Sequence, residues 1–440
     1  MTIRFNLRRG VKWHDGKNFT SDDVAFSILK VWKIAHARGR STFANVTSVE
    51  TPDAHTAIMK LSAPAPYLMN ALASMESQIV AKHVYDGKDL QTNPANNAPI
   101  GTGPFKFAEW KKGGHIILDR NPDYWDKPKP HLDRVVIRFV PDAGGRAAAL
   151  ESKEADLAGM SIIPLNEVRR LGQLSHLGVE TKGYEYLAIV SYLAFNLDRE
   201  PFKDVRVRRA IAHAIDRSFV NRVIWFGYGK PATGPIHAAL VKAYSADVPN
   251  HAFNIALAEK LLDEAGLKKG ANGVRFKISH DYMPFGEQFV RLGEYLKQAL
   301  GKVGIEVEIR NQDYATFVKR VFTDRDFDLI SFFANNASDP TIGVQRFYWS
   351  KNFQPGVAFS NSAKYLNPAM DKLLEGAQVE PNEAKRKALF AEMQKLAMTD
   401  LPYLPLTHLD MVTIYNKRVR NHTITADGVH ANFADVYIQD

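Results

Sequence analysis

Ile3, Phe5 and Leu7 alternate with Arg4, Asn6 and Arg8, the period-two pattern of a half-buried strand. Gly10 and the cluster His14-Asp15-Gly16-Lys17 then turn the chain. Thr20 followed three residues later by Asp23 is a capping-box pattern with Asp in place of Glu, and Val24, Phe26, Ile28, Leu29, Val31 and Trp32 give the helix behind it a broad apolar face. Thr56–Leu61 reads as a strand and Tyr67–Met75 as a short apolar helix. The polar stretch Asp86–Pro99, with Asn93-Pro94 and Asn96-Asn97, predicts a loop and a domain crossing. Gly101-Thr102-Gly103-Pro104-Phe105 opens a hairpin whose second strand is His115–Leu118, and Asn121 to Trp125 is a turn with two aromatic plugs, Tyr124 and Trp125. Arg134–Val140 alternates as a strand, Gly145–Glu151 is helical, and Ala155–Met160 leads into the next strand.

Beyond this point strands and helices take turns. The pattern predicts a strand over Leu187–Asn196, one helix over Val205–Trp225, and a helix over Ala256–Ala265 stopped by Gly266. Then come a strand (Arg275–His280), a helix (Glu287–Val303), a strand (Glu306–Arg310), a helix (Tyr314–Phe322) and a strand (Phe327–Phe333). That order is the signature of an α/β domain. A long helix follows over Asn382–Ala397.

Composition narrows the class. A chain of 440 residues, 45% hydrophobic and 24% charged, is an ordinary globular chain of more than one domain. With no cysteine it has no disulfide, thiolate metal site or cysteine nucleophile. The net charge of +9 is spread along the chain, and the densest run, Arg206-Val207-Arg208-Arg209, lies inside an apolar helical pattern, so no nucleic-acid partner is expected. No apolar run reaches the ~18 residues of a membrane span, and the first residues read as a strand, so no signal peptide is expected in this chain. The 14 histidines are scattered, with no i,i+4 or His-x-His pair in acidic company; no metal ligands and no cofactor are expected. No Gly-x-Ser-x-Gly elbow, His-Glu-x-x-His, Walker or Gly-x-Gly-x-x-Gly motif occurs, and His14-Asp15, the nearest to a catalytic pair, lies in a scaffold turn. An enzyme is not expected.

Five segments, in order, resemble the bacterial ABC-importer extracellular solute-binding proteins of family 5, the oligopeptide/dipeptide/nickel-binding family. They are Phe5 to Gly16 with Phe19 to Ser27; Gly101 to Phe105 with Trp110 and Asn121 to Trp125; Phe195-Asn196-Leu197 with Pro201-Phe202, Asp204 to Ile211 and Ala214 to Arg217; Ser338-Asp339-Pro340; and Leu401 to Pro405. Each also has a scaffold reading: Gly101 and Gly103 permit a tight turn, Tyr124 and Trp125 fill core volume, Asp204 and Asp216 cap or pair locally with Arg208 and Arg217, and Asp339 caps a turn before Pro340.

The resemblance implies an α/β fold: a two-lobed, periplasmic-binding-protein-like clamshell (class II, cluster C) with an additional small domain. Placed on this chain, the small domain is 1–98, the first lobe 99–194 plus 411–440, and the second α/β lobe 195–410. It implies a monomeric, periplasmic binder that takes a small solute, a dipeptide or oligopeptide, in the interlobe cleft and delivers it to permease subunits and their ATPases. A nickel or metal chelate, an opine or a sugar is the alternative cargo. A segment ahead of Ile3, and its export signal, are expected to be missing, which leaves a truncated, non-exported gene product as a second alternative. In peptide-binding members an aspartate before the Asp-Pro pair holds the ligand ammonium, and the matching position here is Asn336. By the same resemblance Phe333 falls where a cleft tryptophan stands, and Arg291 near an arginine that grips the ligand carboxylate. His408 is expected near the hinge, and Tyr282 and Phe285 in a loop that covers the ligand.

Overall fold

The computed structural model describes residues 1–36 and 38–439 and divides the chain into two compact units, Met1–Tyr186 with Met411–Asp440, and Leu187–Asp410. Strands are numbered in chain order through both. In the first unit, β1 (Thr2–Asn6), β2 (Val46–Asp53) and β3 (Thr56–Leu61) form an antiparallel sheet ordered β1-β3-β2. A second antiparallel sheet is β4 (Phe105–Lys111), β5 (His115–Arg120) and β6 (Arg134–Arg138). In a third, β7 (Leu157–Ala158) and β8 (Leu177–Glu180) flank β15 (Thr413–Asn416), which the returning tail supplies.

The motifs of the first unit are staples. The His14 ring accepts from Gly101 N–H through Nδ1 at 3.1 Å, which puts the proton on Nε2, and Nε2 donates to the Gly103 carbonyl at 3.1 Å. Asn121 donates to the same carbonyl at 3.0 Å. Asp15 pairs with His83 at 2.7 Å and not with His14, so the His14–Asp15 pair does not form. The Thr20–Asp23 capping box is present. Tyr124 is buried, but Trp125 is 36% exposed with Arg8 over its ring, so only one of the two aromatics fills core. The apolar stretch from Tyr67 to Met75 forms only a 3₁₀ turn, Leu68–Ala71.

In the second unit a six-stranded sheet runs in the order β10-β14-β9-β13-β11-β12. Its strands are β9 (Ile189–Phe195), β10 (Gly229–Pro231), β11 (Phe276–Tyr282), β12 (Ile305–Arg310), β13 (Leu329–Asn335) and β14 (Tyr403–Leu409). Phe195, expected to open the second lobe, ends a strand that lies wholly in this unit. Every residue of β9 and β14 is buried, and Tyr192, Phe332, Phe347 and Tyr403 pack ring against ring in the core. The single helix expected over Val205–Trp225 is two. It stops at Ala214, and Asp216 starts a new turn by accepting from Phe219 N–H at 3.0 Å. Asp204 pairs with Arg206 at 2.6 Å, while buried Arg208 donates to the Asp400 carbonyl and Arg217 to those of Ala232 and His251, so neither expected Asp–Arg pair forms. Asp339 caps as expected, accepting from Thr341 N–H at 2.9 Å, and is held by Arg386 at 2.6 Å.

Candidate functional site

β9 is antiparallel to both β13 and β14, and β11 is parallel to β13. The carboxyl ends of β11, β13 and β14 therefore lie at one end of the sheet, beside the start of β9. Open α/β sheets present ligand sites outside the carboxyl ends of their strands. Most of the residues singled out from the sequence fall here. Tyr282 ends β11, Phe285 follows it, Phe333 is near the end of β13, Asn336 lies just past it, and His408 is one residue from the end of β14. Arg291 is one turn into the helix Glu287–Gly301 that follows.

The structure sorts these residues into two assemblies. In the first, Phe333 meets Phe285 edge to face at 4.9 Å between ring centres and lies 6.0 Å from Phe289, which in turn contacts Trp225. Phe285 is 39% exposed, so this aromatic stack has an open side. In the second, Asn336 Oδ1 accepts from His237 N–H at 2.6 Å, and the His237 ring lies over His408 at 4.6 Å. Tyr192 donates to the Pro235 carbonyl at 2.7 Å and accepts from Asn336 Nδ2 at 3.4 Å. The loop carrying His237 is thus pinned twice. Burial pushes the His408 imidazole down to about 3, with His237 adding a smaller push, and pushes His237 down to about 4. Both rings are neutral at pH 7.

Three expectations change. Asn336 is fully buried and its amide is engaged on both sides, so it positions the His237 loop and presents no open face to a solute. Tyr282 is not in a loop: it is the last residue of β11 and is buried. Arg291 is exposed, pairs with Glu287 at 2.7 Å along its own helix, and reaches over Phe226. His237, the partner of His408, carried no signal in the sequence beyond the preceding Gly234-Pro235 turn.

Of the buried polar atoms without a hydrogen-bond partner among the described residues, four belong to residues at this sheet end: Ser191 Oγ, Asn335 Oδ1, Thr407 Oγ1 and His408 Nε2. Ser191 is the register partner of both Phe333 and Thr407, so these three side chains share one face. An unpaired buried polar group costs about 1–3 kcal/mol. Ser191 and Thr407 are fully buried on the Phe333 face of the sheet, whereas His408, the register partner of Val190, points to the opposite face with His237. Among the described residues no cluster of three or more His, Asp or Glu could hold a metal ion, and no helix is long and apolar enough to cross a membrane.

Residues 1–355 match the family described as bacterial extracellular solute-binding proteins, family 5 (middle). The chain belongs to this family. Among its family 5 relatives is an ABC transporter peptide-binding protein of Brucella ovis, 30% identical over 428 residues that span 92% of this chain and 75% of that one. The dipeptide-binding protein of Escherichia coli K12 is 25% identical over 460 residues, 100% of this chain and 83% of that protein. Solved family 5 structures share the two-lobed fold. Helicobacter pylori DppA in complex with the peptide STSA superposes with TM-score 0.85 at 25% identity, covering 100% of this chain and 87% of that one. Campylobacter jejuni NikZ in complex with Ni(L-His) gives 0.85 at 24% identity, covering 97% and 84%.

Proposed function

We propose that this family 5 chain is the solute-capturing component of an ABC importer and that its cargo is a short peptide. The peptide lies at the carboxyl end of the second unit's sheet. The observation that carries this is the open aromatic stack Phe285–Phe333 at the carboxyl end of the sheet, with the unpaired hydroxyls of Ser191 and Thr407 on the same face as Phe333. A peptide backbone supplies alternating donors and acceptors for such a set, and its side chains supply apolar surface for the rings. The peptide-binding relatives from Brucella ovis and Escherichia coli support the cargo class. The protein acts as a monomer in the periplasm, hands its cargo to permease subunits driven by separate ATPases, and catalyses no reaction itself.

The test is calorimetric titration with di- to pentapeptides, using the parent chain, Ser191→Ala and Thr407→Val. Each substitution removes one neutral hydrogen bond to cargo and weakens binding roughly two- to tenfold. Asn336→Ala acts differently: it strands the His237 N–H and lowers the urea midpoint. Peptide affinity untouched by either hydroxyl change would refute the placement.

One observation favours a second reading. The stacked imidazoles of His237 and His408, the latter with a free Nε2, could face a nickel–histidine chelate. Heat on adding nickel with L-histidine, lost in His408→Gln and absent with peptides, would establish that reading over the first.

A further inference from the structure

The carboxylates at the carboxyl end of the second unit's sheet are engaged, with one exception among the described residues. Asp281, next to last in β11, is fully buried and held by Arg310 and Arg320. Glu287, past β11, pairs with Arg291 at 2.7 Å. Asp313, past β12, accepts from the N–H and the hydroxyl of Thr316 at 3.0 and 2.7 Å. Asp339, past β13, pairs with Arg386 at 2.6 Å. Asp410, the residue after β14, is exposed, and among the described residues its carboxylate has neither an ion pair nor a hydrogen bond.

The backbone fixes where this carboxylate stands. Asp410 N–H donates to the Tyr228 carbonyl at 3.4 Å, so the course of β14 continues one residue beyond Leu409. Side chains alternate along a strand, so Asp410 follows His408 on one face, and Lys230, the register partner of His408, is on that face too. Lys230 is near enough to act on Asp410, but no ion pair joins them. Partial burial of the carboxyl raises it above the ordinary carboxylate value, outweighing the downward pull of Lys230. His408 and its stacked partner His237 are neutral at pH 7 and offset none of its charge. A partly desolvated carboxylate without a partner gains most from a cation brought to it.

We propose that Asp410 determines cargo specificity by pairing with a cationic group of the peptide, an ammonium or a guanidinium. This rests on the reading of this sheet end as the cargo site. The group belongs to the peptide's amino terminus or to a basic side chain, and the chemistry is the same, a charge-assisted hydrogen bond to a carboxylate. The sheet also sets a length. From β14 to β11, in the order β14-β9-β13-β11, is three strand spacings, roughly 14 Å. That is the span of about four residues of extended chain. A tetrapeptide with its cation at Asp410 therefore reaches the open ring of Phe285 past β11 with its far end.

The experiment is calorimetric titration of the whole 440-residue protein at about 0.5 M salt, where charges more than a few ångströms apart are screened. The probes are the tetrapeptide Ala-Ala-Ala-Phe, its N-acetyl form, which has no cation, and N-acetyl-Arg-Ala-Ala-Phe. Asp410→Asn should weaken at least one of the two cationic peptides about tenfold and leave the N-acetylated alanyl peptide and the urea midpoint unchanged. Asp410→Glu, which keeps the charge, should retain the preference for the cation. The cationic peptide that responds identifies the source of the group. The proposal is overturned if both cationic peptides bind Asp410→Asn as tightly as the parent, or if the peptide without a cation is weakened as much as they are; the peptide-cargo reading survives either result. A parent protein that binds none of the three peptides overturns both.

Discussion

At the scale of single residues, the pair His237–His408 ties the candidate site to pH. Both imidazoles are held well below the ordinary value near 6.5, His408 at about 3 and His237 at about 4, chiefly by burial. Above pH 6.5 neither the folded nor the unfolded chain protonates them, and they contribute no pH dependence. As pH falls below 6.5 the unfolded chain takes up protons that the folded chain refuses, so stability falls. Each histidine contributes a slope of up to about 1.4 kcal/mol per pH unit until its folded value is reached. Urea midpoints measured at pH 7 and pH 5 should therefore drop in the parent and drop less in His408→Gln. Equal drops in the two proteins would show that His408 is not held neutral by the fold. The buried His251 and His280 are pushed down in the same way, to about 4 and about 3, and form the common background in both proteins.

At the scale of elements, close approach of backbones sets the shape of the site. A methyl group on Gly343 would sit 2.1 Å from the carbonyl carbon and oxygen of Asn336. The turn Pro340–Gly343 thus holds the end of β13 against the His237 loop, and only glycine allows it. Gly343→Ala forces the backbone apart, at a cost of about 1–3 kcal/mol or more, and should weaken cargo binding with it. Gly376, inside the helix Pro368–Val379, is the counterexample: its added methyl group meets only Leu389 at 3.5 Å. Gly376→Ala should raise stability by about 0.5–1 kcal/mol through helix propensity. Thermal melts of the two variants moving the same way would contradict this contrast. Elements built on local pattern were legible beforehand. The alternation of strands and helices from Arg275 to Phe333 is present to within a few residues, because strand and helix periods there are uninterrupted. β14 was not legible as a strand. Pro402 and Pro405 break its donor pattern, and the sheet accommodates Pro405 with a register shift before Thr407.

At the scale of the whole molecule, the second unit is one uninterrupted segment, Leu187–Asp410, whose sheet and aromatic core come entirely from its own residues. Residues 187–410 expressed alone should fold and unfold in one cooperative urea transition; a gradual, non-cooperative loss of circular dichroism would show that the core needs the rest of the chain. The first unit cannot be excised so simply, since β15 reaches it only after the chain has passed through the second. By itself the sequence determined the α/β class and the family, because strand and helix periods, turn residues and motif order are local properties of the chain. It pointed to Phe333, Phe285 and His408 through resemblance, and the structure puts them near one sheet end. Only the tertiary structure decided that His237 lies over His408, that Asn336 is buried as a positioning residue, and that Arg291 pairs with Glu287. Those are facts of residues far apart in the chain brought within a few ångströms by packing, and neither period nor composition carries information about such pairings.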